Sequence, residues 1–109
     1  VDSHLNSYVR FKIGMTEDNG AIRPYEQGEW AELGEAKSAP LDLSLPLLDA
    51  LHARWVTFLR TLSEEDFQRT VHHPEMGRDL TLDTLLEIYG WHGLHHETHV
   101  TALRERMGW

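Results

Sequence analysis

The stretch from Thr81 to Gly108 places the tightest limit on what this chain can fold into. A threonine able to cap a helix opens it, and a glycine able to end one closes it. Between them Leu82, Leu85, Leu86, Tyr89, Val100, Leu103 and Met107 recur at helical spacing. The same stretch carries the cluster His92, His95, His96 and His99. Turned at about 100° per residue from His96, the side chains of Leu85, Tyr89, His92, Val100, Leu103 and Met107 all fall within about 40° of it. The apolar stripe therefore runs through His92 and His96. His99 lies on its edge at about 60° and His95 at about 100°, while Glu87, Leu94 and Glu105 face away.

Other segments supply partners for that stripe. Val1 to Met15 places Val1, Leu5, Tyr8 or Val9, and Lys12 or Ile13 on one side of a helix. It opens without a capping residue, so its start is expected upstream of Val1. Thr16 to Pro40 is punctuated by Asn19-Gly20, Arg23-Pro24, Gly28, Gly34 and Pro40 and predicts a long loop, with one turn of helix near Trp30-Ala31-Glu32. A second long helix is expected from Ser44 to about Leu62, with Pro46 in its first turn. Its buried stripe is Leu48, Leu51, His52, Trp55, Phe58, Leu59 and Leu62. Ser63 before Glu64, Glu65 and Asp66 predicts a capped short helix. Val71 to Leu80, broken by Pro74 and Gly77, predicts a turn or a minimal hairpin. The sum is one all-α domain, residues 1–109, built as a helical bundle.

Composition narrows the function. A chain of 109 residues has room for a single core. Its net charge of −8 and pI near 5.4 oppose contact with nucleic acid phosphates. No run of about 18 apolar residues and no basic-then-apolar start occurs, which predicts neither a membrane span nor a signal peptide. The absence of cysteine removes disulfides, thiolate metal sites and a cysteine nucleophile.

Imidazoles on a core-facing stripe need partners, because burying them unpaired is costly. Two histidines at i and i+4 set their ring nitrogens side by side, a spacing that suits one metal ion. His92 and His96 are the predicted ligands, with His95 and His99 the competing pair. His99 is read as lining the pocket or supporting a ligand. The string is not a zincin motif, and Glu97 points off the stripe. Further ligands should come from facing helices. On spacing alone His4, beside Val1, Tyr8 and Phe11, is the first choice for a third. His52 is expected to be a core histidine bonded to a backbone carbonyl or a neighbouring helix, and His72 and His73 to be solvated in a turn.

Several strings together resemble one family: Asp2-Ser3-His4-Leu5-Asn6-Ser7-Tyr8-Val9-Arg10-Phe11-Lys12, Arg23-Pro24-Tyr25, Leu51-His52-Ala53-Arg54-Trp55, His73-Pro74, Tyr89-Gly90-Trp91-His92 and Arg106-Met107-Gly108-Trp109. The resemblance, over essentially the whole chain, is to the YfiT-like branch of the DinB-like superfamily, described as metal-dependent hydrolases and including bacillithiol transferases. It implies a four-helix bundle of which this chain supplies about three main helices and a long loop. It also implies a three-histidine site for a divalent metal, zinc or nickel, a cytoplasmic location and a homodimer. The family's closing ligand pair falls on His92 and His96. Its remaining ligand stands five residues before the position of His4, upstream of Val1, and on that geometry His4 faces roughly 140° away from it.

In phase with that upstream position are Asp2, Asn6 and Arg10, a polar line expected to border the site. Arg10 suits a bidentate grip on a substrate carboxylate, and Asn6 suits orienting a water. Two functions follow. As an enzyme, the protein would use a divalent metal to activate water for hydrolysis or a low-molecular-weight thiol for transfer to a small-molecule substrate. As a non-catalytic unit, it would be a helical association module or a structural metal-binder. In either case the apolar stripes are expected to be covered by a second copy or by an upstream helix that brings the third ligand.

Overall fold

The computed structural model describes residues 1–109. Its elements, in chain order, are α1 (Asp2–Thr16), α2 (Gln27–Glu32), α3 (Gly34–Ser38), α4 (Leu41–Leu59), α5 (Glu64–Phe67), β1 (Thr70–His73), β2 (Arg78–Thr81) and α6 (Leu82–Met107). Three long helices, α1, α4 and α6, make the bundle, and the molecule is elongated at 47 × 28 × 27 Å. No helix is long and apolar enough to cross a membrane.

Helix α1 forms as expected, but the residues it buries are Ser7, Phe11 and Gly14, whereas the predicted stripe is only partly covered and its Val9 is exposed. Its aromatic face meets α4, with the ring centroids of Phe11 and Trp55 5.6 Å apart and those of Tyr8 and Trp55 6.4 Å apart. Lys12 Nζ covers the Phe58 ring at 4.2 Å, adding a cation–π contact to the same interface. Gly14 lets α1 pack against the start of α6. A Cβ built there would stand 2.5 Å from Leu82 Cδ2, so only glycine permits this approach. The chain leaves α1 through Asn19, whose φ of 49° is tolerated because asparagine visits the left-handed region.

The expected long loop contains two short helices, α2 and α3, with every residue from Glu26 to Pro40 exposed. They bury no stripe, which is why apolar spacing did not reveal them. Helix α4 begins at Leu41 rather than Ser44, so Pro46 lies beyond the first turn and inside the helix. Only Leu51 and Trp55 of its predicted stripe are fully buried, and His52 is exposed.

The caps are where the residues place them. Ser63 accepts from Asp66 N at 3.1 Å while Asp66 Oδ2 accepts from Ser63 N at 2.9 Å, a reciprocal capping box. Thr81 accepts from Thr84 N at 3.1 Å, and Gly108 ends α6 at φ 71°. Between α5 and α6 the minimal hairpin is realised as β1 and β2, antiparallel, with Val71 opposite Leu80 and His72 opposite Asp79. His72 and His73 are thus half-buried strand residues, not solvated turn residues. His72 Nδ1 lies 2.8 Å from Asp79 Oδ1, and His73 Nδ1 accepts from Met76 N at 3.2 Å.

The core gathers Phe11, Ile22, Trp55, Val71, Leu80, Leu82 and Leu85 at the hairpin end. Arg69 ties that end together, its Nε donating to Gly14 O at 2.8 Å while its carbonyl accepts from Leu82 N at 2.9 Å. At the far end the expectation of burial fails: Val100, Leu103 and Met107 are all exposed. The stripe is present, but nothing in the chain lies on it.

Candidate metal centre

The histidine end of the bundle is set by α6, whose seventh residue after Leu85 is His92. His92 and His96 sit one turn apart on the α6 face toward α1, and their Nε2 atoms are 2.8 Å apart with ring planes at 86°. Two imidazoles in neighbouring positions on one ion, at metal–nitrogen bonds of about 2.1 Å, stand about 3 Å apart. The pair fits that spacing, and imidazole nitrogens are suitable donors for a borderline divalent ion. No group of three or more histidine, aspartate or glutamate side chains converges to hold a metal. These residues therefore account for two coordination positions, and the donor set is incomplete within the chain.

Both rings face a cavity of about 330 Å³ shared with Asp2, Ser3, Tyr25 and Trp30. Its walls come from the start of α1 and from the segment entering α2, which brings Tyr25 against Trp30 with ring centroids 4.9 Å apart. His92 is half-buried and His96 exposed. Burial, then the charges of His96 and His95, hold His92 below the ordinary imidazole range, which favours the neutral form that binds metal. Burial raises the Tyr25 hydroxyl, so it stays a protonated donor at neutral pH.

The other predicted site residues divide. Asp2 lines the cavity. Asn6, however, folds back on its own helix, donating from Nδ2 to Asp2 O at 2.8 Å. Arg10 donates to Tyr89 Oη at 3.1 Å and to Arg23 O at 3.3 Å, which pins the loop after α1 to the bundle. Neither Asn6 nor Arg10 lines the cavity of the histidine pair. His99 is exposed and packs on His95, ring centroids 4.1 Å apart, rather than on the pocket. His95 in turn stacks on Trp91 at 4.6 Å, on the outer side of the helix.

His52 does bond to a neighbouring helix, as one of its two expected partners, but it is exposed rather than a core residue, and the sequence did not name His4 as that partner. His4 Nδ1 lies 2.6 Å from His52 Nε2, with ring planes within 13° and centroids 4.8 Å apart. A nitrogen separation so much shorter than the centroid separation means that the rings meet edge to edge. One nitrogen donates and the other accepts. Burial, then His52, hold His4 below the ordinary imidazole range, with smaller contributions from the N-terminus, His92 and His96. His4 thus stands within electrostatic reach of the metal pair while bonded away from it. The signal was available: the α1 stripe of His4, Tyr8 and Phe11 and the α4 stripe of His52 and Trp55 are the two faces that pack together.

Comparison with known proteins bears on the family and the fold. A sequence model of the DinB superfamily matches residues 1–100. A protein of Bacillus mycoides strain KBAB4 named "Putative metal-dependent hydrolase" is 50% identical over 109 residues, covering 100% of this chain and 62% of its own length. A protein of Bacillus cereus strain B4264 bearing the same description matches equally, at 50% identity. Among solved structures, YfiT from Bacillus subtilis, described as a probable metal-dependent hydrolase with an unusual four-helix bundle topology, superposes with a TM-score of 0.94 and 48% identity over 99% of this chain. The chain spans 62% of the length of each of these relatives. Matched by the superfamily model over most of its length and 50% identical to these relatives, the chain belongs to the DinB superfamily.

Proposed function

We propose that this chain carries part of the active site of a divalent-metal-dependent enzyme that activates water for hydrolysis or a low-molecular-weight thiol for transfer to a small-molecule electrophile. The observation that carries the reading is the His92–His96 pair, with nitrogens 2.8 Å apart and facing a cavity of about 330 Å³. When bound, zinc or nickel supplies Lewis acidity, lowering the pKa of water or thiol toward neutrality. The chain's residues do the rest. His92 and His96 hold the ion, Tyr25 and Ser3 offer hydroxyls to a substrate, and Trp30 provides an apolar wall.

A third ligand and a cover are needed, and both fit a homodimer or an added helix. Leu41, Leu43, Leu45 and Leu47 are all exposed around the first two turns of α4, an apolar surface that an added helix or second copy would cover. The same exposed leucines, together with the incomplete donor set, favour one second reading, a non-catalytic association module or structural metal-binder.

Metal content and turnover separate the two. Purified protein should retain zinc or nickel, and His92→Ala and His96→Ala should each remove most of it while His95→Ala keeps it. Equal loss from all three substitutions would place the site on the wrong face. Turnover of a chromogenic ester, or of a low-molecular-weight thiol with monobromobimane, supports the enzyme and names its nucleophile. Metal bound without either activity supports the module.

A further inference from the structure

Of the two histidine pairs that the sequence sets one turn apart on α6, the metal centre takes only one. His95 and His99 occupy the neighbouring face, so the two pairs do not compete for the same space. The ring centroids of His95 and His99 are 4.1 Å apart, against 4.3 Å for His92 and His96, whose Nε2 atoms stand 2.8 Å apart. The outer rings therefore approach as closely as the inner ones. Trp91 stacks on His95 at 4.6 Å with ring planes 16° apart, which holds that imidazole in place. Side-chain hydrogen bonds in this part of α6 engage His92, His96, Thr98 and Thr101, and leave the nitrogens of His95 and His99 free. His95 is half-buried and His99 exposed, so both can be reached from solvent. Ile88, Trp91, Ala102 and Arg106 lie within about 40° of His95 around the helix, and no carboxylate of α6 shares that line.

We propose that His95 and His99 form a second site for a divalent transition-metal ion, open to solvent and separate from the His92–His96 centre. Neutral imidazole is a good donor for copper, nickel and zinc. The two rings act as a chelate: once one nitrogen holds the ion, the other is presented to it at high effective concentration. Water fills the remaining positions. The inner pair faces Asp2, Ser3 and Tyr25 across its cavity, whereas the outer pair binds in competition with bulk solvent. The outer site is accordingly the weaker, and it fills from added metal while the ion retained through purification stays on His92 and His96. An ion on the outer pair would also tie together one turn of α6, in the half of the helix where Val100, Leu103 and Met107 are exposed.

Copper(II) alone is the probe, because it binds nitrogen donors most tightly among the first-row divalent ions. The test uses the His92→Ala/His96→Ala variant, in which the inner pair is gone and the outer pair is the only one left on α6. Calorimetric titration of this variant, stripped of metal, should show one strong equivalent of copper(II), and its electron paramagnetic resonance should carry hyperfine splitting from two nitrogens. Adding His95→Ala or His99→Ala should weaken that equivalent about 100-fold, since a single imidazole has no chelate partner. A transfer control, His99→Ala with Glu97→His, keeps the number of histidines but moves one to the opposite side of the helix. It should bind as weakly as His99→Ala alone. Unchanged binding after His95→Ala or His99→Ala, splitting from a single nitrogen, or full affinity in the transfer control overturns the site. Because the inner pair is absent throughout, these outcomes decide the outer site whether or not the protein turns over an ester or a thiol.

Discussion

The hairpin end and the histidine end of this bundle are built from the same three helices and differ in almost everything else. At the hairpin end Phe11, Val71 and Leu82 are 0% exposed, two strands and a capping box close the surface, and a glycine lets α1 touch α6. At the histidine end Leu41 is 70% and Trp109 72% exposed, and half of α6 runs without a neighbour. Folding energy therefore sits at one end and the proposed site at the other. Imidazoles with free nitrogens, a cavity and exposed apolar helix faces are poor material for a core but suit a site that takes a metal, a substrate and further protein.

The comparison can be broken first by truncating one residue at each end. Phe11→Ala should cost about 3–5 kcal/mol in urea denaturation, since it empties the centre of the core. Val100→Ala, on the uncovered stripe, should stay within about 0.5 kcal/mol for the same chain. Comparable losses would mean that the histidine end is covered in solution by a second copy, and Val100→Ala would then show a concentration-dependent melt.

A smaller effect sharpens the α1–α6 contact. Gly14→Ala places a methyl where Leu82 Cδ2 stands and should cost about 1–3 kcal/mol by overpacking. Leu82→Val in the Gly14→Ala background should recover part of that loss, because it withdraws the clashing branch. Independent, additive losses would show that the two helices do not meet as closely as described.

The smallest effect is electrostatic and local to the hairpin. The hydrogen bond from His72, then one from Asn19, hold the Asp79 carboxyl below its ordinary range. The unfolded chain therefore binds this proton more readily than the folded one. The contribution to stability is present above the unfolded carboxylate range and is lost as pH falls through the folded value. Asp79→Asn should flatten the acid limb of the stability profile slightly by lowering the neutral plateau, with stability in strong acid unchanged. An unchanged acid limb would remove Asp79 from the account.

What could be read from the residues was whatever is settled locally. Ser63, Thr81 and Gly108 announce helix ends because a cap is made within a few residues of chain. The pairing of His92 with His96 is fixed by one turn of helix. Pro46 misled the reading of α4, since a proline is expected in a first turn, yet Pro40 stands at the N-cap and the helix accommodates Pro46 beyond that turn. Val100, Leu103 and Met107 were assigned to an interior because a stripe records which face seeks cover, not whether a partner is there. Asn6 and Arg10 were placed on the site by phase alone, whereas their hydrogen bonds turn them to Asp2 and to Tyr89 and Arg23. The His4–His52 contact joins residues 48 apart and depends on how α1 and α4 are rotated against each other, which no single helix specifies.

One feature joins the two ends mechanically. Helix α6 is clamped at Leu82, Leu85 and Tyr89 and then extends as a cantilever, with His96 about 10 Å beyond Tyr89 at a rise of 1.5 Å per residue. A tilt of about 6° at the clamp swings the His96 ring by about 1 Å, the scale of misplacement that can cost a catalytic site about 100-fold. The hairpin and the Gly14 notch are then the anchorage of a lever, and the aim of the histidine pair is set by residues that lie outside the proposed site.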